Sequence, residues 1–163
     1  MQRSIRHRVL AVLAAVAVVA LAALPAFAQL TEVSPQNEAI NAAIEKAKST
    51  LPVFFARLAN PQPGDSGFLV KIRYDKKSTS GGEHIWAKDV VKSGNTVSAT
   101  IDNEPKDIAD LVRGQRVTVP ITQLTDWLYE RRGKYHGAYT VRALVPFMTK
   151  EQAADMRKRL APE

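Results

Sequence analysis

Two hydrophobic periods divide the chain. Ala39, Ile40, Ala43, Ile44 and Ala47 recur at the spacing of one helix face. Ser34 followed by Pro35 predicts the N-cap and first position of that helix. Pro52 interrupts the pattern, and Val53, Phe54, Phe55 and Leu58 resume it as a second short helix or a continuation after a kink. Asn60-Pro61-Gln62-Pro63-Gly64-Asp65 reads as a loop.

From residue 67 the period becomes two. Phe68, Val70, Ile72 and Tyr74 alternate with Leu69, Lys71, Arg73 and Asp75, which predicts a strand with one buried face. A turn over 78–82 leads to a strand over 83–91, and Ser93-Gly94-Asn95 is a hairpin turn into Val97, Ala99 and Ile101. Asp102-Asn103-Glu104-Pro105 ends that strand, residues 106–112 fit one helical turn, and Val117, Val119 and Ile121 suggest another strand. Residues 126–131 admit a helical turn or a strand. The strand is preferred because Arg132-Gly133 can turn it back into the alternating run Tyr139, Val141, Ala143, Val145. Thr149 with Gln152 three residues on is a capping-box pattern, opening a final helix with Ala153, Met156 and Leu160 on one face. The expected fold class is α+β, with an N-terminal helical segment, a strongly curved antiparallel sheet of five to six strands and a C-terminal helix.

The first 28 residues carry a different signal. Arg3, Arg6 and Arg8 precede sixteen consecutive Ala, Val or Leu residues from Val9 to Leu24. Pro25 follows, and Ala26-Phe27-Ala28 places small residues at −3 and −1 before Gln29. This layout predicts a secretory signal peptide over 1–28. Sixteen helical residues reach about 24 Å, short of a hydrocarbon core of about 30 Å, so an uncleaved anchor fits less well. The expected location is the periplasm, or the exterior of a cell with one membrane, with no transmembrane segment after cleavage.

Removing 28 of the 163 residues leaves one domain over 29–163 and takes away three basic residues, so the net charge falls from +7 to +4. That charge gives no reason to expect nucleic acid. The chain has no cysteine, which excludes disulfide frameworks, thiol catalysis and cysteine-ligated zinc. No glycine-rich phosphate loop and no nucleophile elbow occur.

Five motifs appear in order: Gly82-Glu83-His84-Ile85-Trp86, Asp102-Asn103-Glu104-Pro105, Gly114-Gln115-Arg116-Val117, Asp126-Trp127-Leu128-Tyr129 and Gly137-Ala138-Tyr139-Thr140-Val141-Arg142. Together they resemble the bacterial YegJ-like family, a domain of unknown function, over roughly 38–147. The resemblance implies a compact α+β domain with no established activity, cofactor or substrate. Somewhat similar small domains have been proposed as toxin-immunity proteins. The export signal and the basic turn Arg131-Arg132-Gly133-Lys134 depart from the family pattern.

Several residues in these motifs are of a chemical type. Glu83, His84 and His136 could ligate zinc or orient an imidazole, but neighbours on a strand point to opposite faces, so Glu83 and His84 are poorly placed to share a site. His84 is expected neutral and buried beside Trp86, with which it shares a face. Trp86 and Trp127 are expected in the core, or else with Tyr129 and Tyr139 along a ligand groove. Asn103 and Glu104 lie at a strand end, where Asx turn chemistry explains the first better than the second. Glu104, Asp126 and Arg142 would form a polar cluster if they met at one sheet end, and an acid pair there could act like a glycosidase. The binding candidates are therefore Glu83, His84, Trp86, Asn103, Glu104, Asp126, Trp127, Tyr129, Tyr139 and Arg142. No cofactor and no metal are expected. An exported, non-catalytic module binding a protein or envelope component is favoured over a small hydrolase or metalloprotein, and over an immunity protein.

Overall fold

A computed structural model describes residues 38–75 and 82–163. The signal sequence, the Ser34-Pro35 cap and nearly all of the 78–82 turn lie outside the described residues. The elements are α1 (Glu38–Ala59), β1 (Asp65–Tyr74), β2 (Glu83–Ser93), β3 (Thr96–Ile101), β4 (Arg116–Pro120), β5 (Leu124–Arg131), β6 (Lys134–Gly137), α2 (Tyr139–Leu144) and α3 (Lys150–Arg159). The sheet is antiparallel in the order β4-β3-β2-β1-β5-β6. The α+β expectation holds, with six strands.

The first helix does not break at Pro52. Buried Ala47, Leu51 and Phe54 continue one stripe straight through it, while Pro52 faces solvent. Its missing N–H therefore falls on the wet side of the helix, where water can serve the freed carbonyl. This stripe packs on one sheet face against Val70, Ile72, Ile85, Ala87, Val97, Ala99, Ile101, Leu124 and Trp127. Curvature comes from register shifts in β1–β5 and in β2–β3, the latter at Asp89, whose φ is 53°. Residues 106–112 form bends and turns rather than a helical turn, anchored by Ile108 and Leu111 in the core.

The expected strand over Tyr139–Val145 is instead α2. Gly137 and Ala138 both adopt left-handed backbone, with φ of 74° and 54°, which ends the ladder. The alternating run Tyr139, Val141, Ala143, Val145 also places Val141 and Val145 at helical spacing, so its period alone did not decide. What decides is Asp126, on a different strand: its carboxylate accepts the first N–H groups of α2, from Tyr139 (3.1 Å) and Thr140 (2.8 Å). It thus supplies the cap that Ala138 cannot. The capping box of α3 forms as expected, Gln152 N–H donating to Thr149 Oγ1 and Thr149 N–H to Gln152 Oε1. Among the described residues no helix is long and apolar enough to cross a membrane.

Candidate functional site

Strand pairing sorts the candidates between two faces. Val70 pairs with Trp127 on the α1 face, and Lys71 pairs with both Trp86 and Asp126 on the other. The two indoles therefore lie on opposite sides of the sheet and cannot line one groove. Trp127 is in the core, 3% exposed, its Nε1–H donating to Ala47 O and Thr50 Oγ1, each at 3.1 Å. Tyr129 lies stacked with Phe68, with Trp127 and, at 4.9 Å, with His136. Tyr139 meets Trp127 edge-on at 5.6 Å. Trp127, Tyr129, Tyr139, His136 and Arg142 border one cavity of about 330 Å³.

Trp86 is only half-buried, so the expectation of a core tryptophan fails for it. Its ring lies 4.6 Å from the Lys71 ammonium, and its backbone N–H donates to Asn103 Oδ1 at 2.7 Å. Asn103 thus pins the 102–107 loop to β2, and Glu83 pins the far end by accepting from the N–H groups of Lys106 and Asp107. Trp86 and Asn103 border a groove of about 370 Å³ walled by Leu69, Leu128, Val141 and Met156. Leu69, Leu128 and Trp86 belong to the second face, and Val141 of α2 and Met156 of α3 complete the wall.

Beneath Trp86 the polar groups satisfy one another. Lys71 Nζ donates to Thr140 Oγ1 at 2.6 Å, and that hydroxyl donates to Asp126 Oδ2 at 2.5 Å. Asp126 is 1% exposed. Burial raises its pKa, opposed by the Thr140 hydrogen bond and the Lys71 charge. Burial likewise lowers the pKa of Lys71, with Asp126 opposing. Thr140 is itself buried, with its hydroxyl engaged on both sides.

His84 lies on the same face, its Nδ1 2.9 Å from Thr125 Oγ1. Burial, then the charges of Lys71 and Arg73, lower its pKa to about 4. The expected neutrality follows, although the ring is half-buried on the second face rather than in the core. Because the folded value lies below the ordinary 6.5, the unfolded chain binds a proton first as pH falls. The resulting stability loss runs from about pH 6.5 down to about pH 4 and is absent at neutral pH. An NMR titration of the His84 ring should give a midpoint near 4, and His84→Gln should flatten that part of the stability profile. A midpoint at or above 6.5 would contradict the placement.

The other expected clusters do not assemble. Arg142 spends its guanidinium on the carbonyls of Gly137, Tyr135 and Ala161, which fastens the C-terminal segment, and it makes no pair with Asp126. Glu104 is exposed on the 102–107 loop, so no polar cluster of Glu104, Asp126 and Arg142 forms. Glu83 and His84 diverge to opposite partners, as strand alternation requires, while His136 stacks on Tyr129. Among the described residues no group of three His, Cys, Asp or Glu side chains is placed to hold a metal ion. Sequence reasoning missed Lys71 and Thr140, whose only signal was a lysine inside the strongest strand pattern.

A putative ankyrin repeat protein of Neisseria meningitidis is 26% identical over 129 residues, covering 76% of this chain and 51% of the relative. The chain thus spans about half the length of that protein. The uncharacterized protein YegJ of Escherichia coli is 28% identical over 123 residues, covering 76% of this chain and 78% of the relative. No solved structure matches the chain. Residues 37–161, nearly all of the described fold, match the family described as "Uncharacterized protein conserved in bacteria (DUF2314)", and the chain belongs to that family.

Proposed function

We propose that the protein is exported and acts as a small non-catalytic binding module of the periplasm or cell envelope, taking an apolar segment of an envelope protein into the groove beside Trp86. The observation that carries this reading is the groove itself. A half-buried indole and the side chains of Leu69, Leu128, Val141 and Met156 line it, together with Asn103, Tyr135, Glu130 and Asp102, the last of these paired with Lys88 at 2.9 Å. A site of that make-up gains free energy by covering apolar surface. The Neisseria relative is described as an ankyrin repeat protein, and such arrays present extended binding surfaces, which suits a domain used for interaction.

Export rests on the signal pattern of residues 1–28. Fractionation with mass spectrometry should find a mature chain beginning at Gln29 outside the cytoplasm. An intact Met1 start in the cytoplasm would refute export. For binding, the purified protein serves as bait in envelope extract beside a Trp86→Ala variant. The reading expects a partner recovered by the parent and lost by the variant; equal recovery by both would remove the groove from the account.

A further inference from the structure

We propose that the cavity between the end of α1 and the β5–β6 turn binds a phosphate-bearing ligand through Arg57, Arg131 and Arg132. It measures about 750 Å³ and lies on the α1 side of the sheet, opposite the Trp86 groove, so it stands independently of that reading. Strand register explains how the arginines meet. Arg131 has the parity of Trp127 and Tyr129 and points toward α1, whose last turn carries Arg57. Arg132 opens the two-residue turn with φ of 51°.

One carboxylate organises the group. The Asp65 side chain is covered by its partners, 0% exposed, and accepts from Gln62 N–H at 2.8 Å and from Arg131 Nε and Nη2 at 2.6 and 3.1 Å. Arg57 Nη1 is farther off, at 3.6 Å. The Arg131 hydrogen bond holds the Asp65 carboxyl below its ordinary pKa, so it stays charged at neutral pH. Arg57 and Arg131 also flank the Tyr129 ring at 6.0 and 5.9 Å, which fixes both stems. Three guanidinium groups against one carboxylate leave two net positive charges at the cavity. Arg132 has no ion pair among the described residues, and Arg57 makes only its long contact with Asp65. Their free N–H forks suit the paired oxygens of a phosphate. The side chains of Arg57 and Arg131 are 28% exposed, so their charge is less screened than that of a surface lysine. Lys134, from the same basic run, is turned away, its ammonium donating to Lys158 O.

The test has two arms, because a free phosphate and a lipid headgroup share this chemistry. Inorganic phosphate is titrated into ¹⁵N-labelled protein, following the Arg57, Arg131 and Arg132 signals. In parallel, the protein is co-sedimented with phosphatidylcholine vesicles with and without phosphatidylglycerol at physiological ionic strength. Arg132→Asn keeps a residue type that tolerates the left-handed turn, Arg57→Gln removes the second fork, and Arg113→Gln removes an equal charge from an exposed loop elsewhere. Saturable binding in either arm is expected, weakened about tenfold by Arg132→Asn and unchanged by Arg113→Gln. Saturation with phosphate alone assigns a soluble anion, and retention on anionic vesicles assigns a headgroup. Arg57→Gln is scored only if its melting curve shows a folded protein, and Arg132→Asn decides otherwise. No saturable binding in either arm, or equal weakening by Arg113→Gln, overturns the proposal.

Discussion

Replacing Trp127 by alanine should lower the folding free energy by about 3–5 kcal/mol, the range for a buried aromatic truncated to a cavity. The indole is 3% exposed, packs on Phe54 at 5.4 Å, and ties β5 to α1 through its Nε1–H. Its surroundings have little room to collapse. A Cβ built on Gly137 would lie 2.5 Å from the ring and from the Trp127 carbonyl, so the hairpin backbone already rests against it. Trp86→Ala should cost only about 1–2 kcal/mol, because that ring is already partly in water in the folded chain and its loss uncovers less apolar area. Urea denaturation followed by circular dichroism reads both variants. Equal losses would mean that the assignment of the two indoles to opposite faces is wrong.

Asp126→Ala should be comparably severe, also about 3–5 kcal/mol, because it leaves three N–H groups and the buried Thr140 hydroxyl without their acceptor and removes the charge that opposes half-buried Lys71. The carboxylate holds the first two N–H groups of α2, the Trp127 N–H at 2.8 Å and the Thr140 hydroxyl that receives Lys71. Asp126→Asn, which keeps one acceptor oxygen, should recover part of the loss. Loss of α2 ought to come first, visible as weakened hydrogen-exchange protection at Thr140 and Arg142 before the sheet opens. An Asp126→Ala protein within 1 kcal/mol of the parent would show that the carboxylate is not the cap of that helix.

These two residues also mark where the sequence was legible. The strands with one buried face announced themselves by alternation, and Val70, Ile72, Ile85, Ala87, Val97, Ala99 and Ile101 occupy the core as that pattern requires. Thr149 and Gln152 gave the last helix its start because a capping box is local chemistry. The stretch after Gly137 was misread for the opposite reason: its helix is capped by Asp126, thirteen residues upstream on another strand, and no local window contains that partner. Pro52 left two readings open, a second helix or a continuation, and the helix continues through it with the missing N–H on its solvent side. The aromatic candidates were recognised as a set, but which side of the sheet each would occupy depended on the pairing of β1 with both β2 and β5. For the same reason the Lys71–Thr140–Asp126 chain left little trace in the sequence.

The two tryptophans give the most direct test of the binding account. With 5-fluorotryptophan incorporated, the protein should show one ¹⁹F resonance from the groove and one from the core, assigned by Trp86→Phe. Adding fractionated envelope extract that contains a partner should shift or broaden the Trp86 line and leave the Trp127 line in place. Movement of the Trp127 line alone, or no change in either line with any envelope fraction, would contradict a binding site at the Trp86 groove.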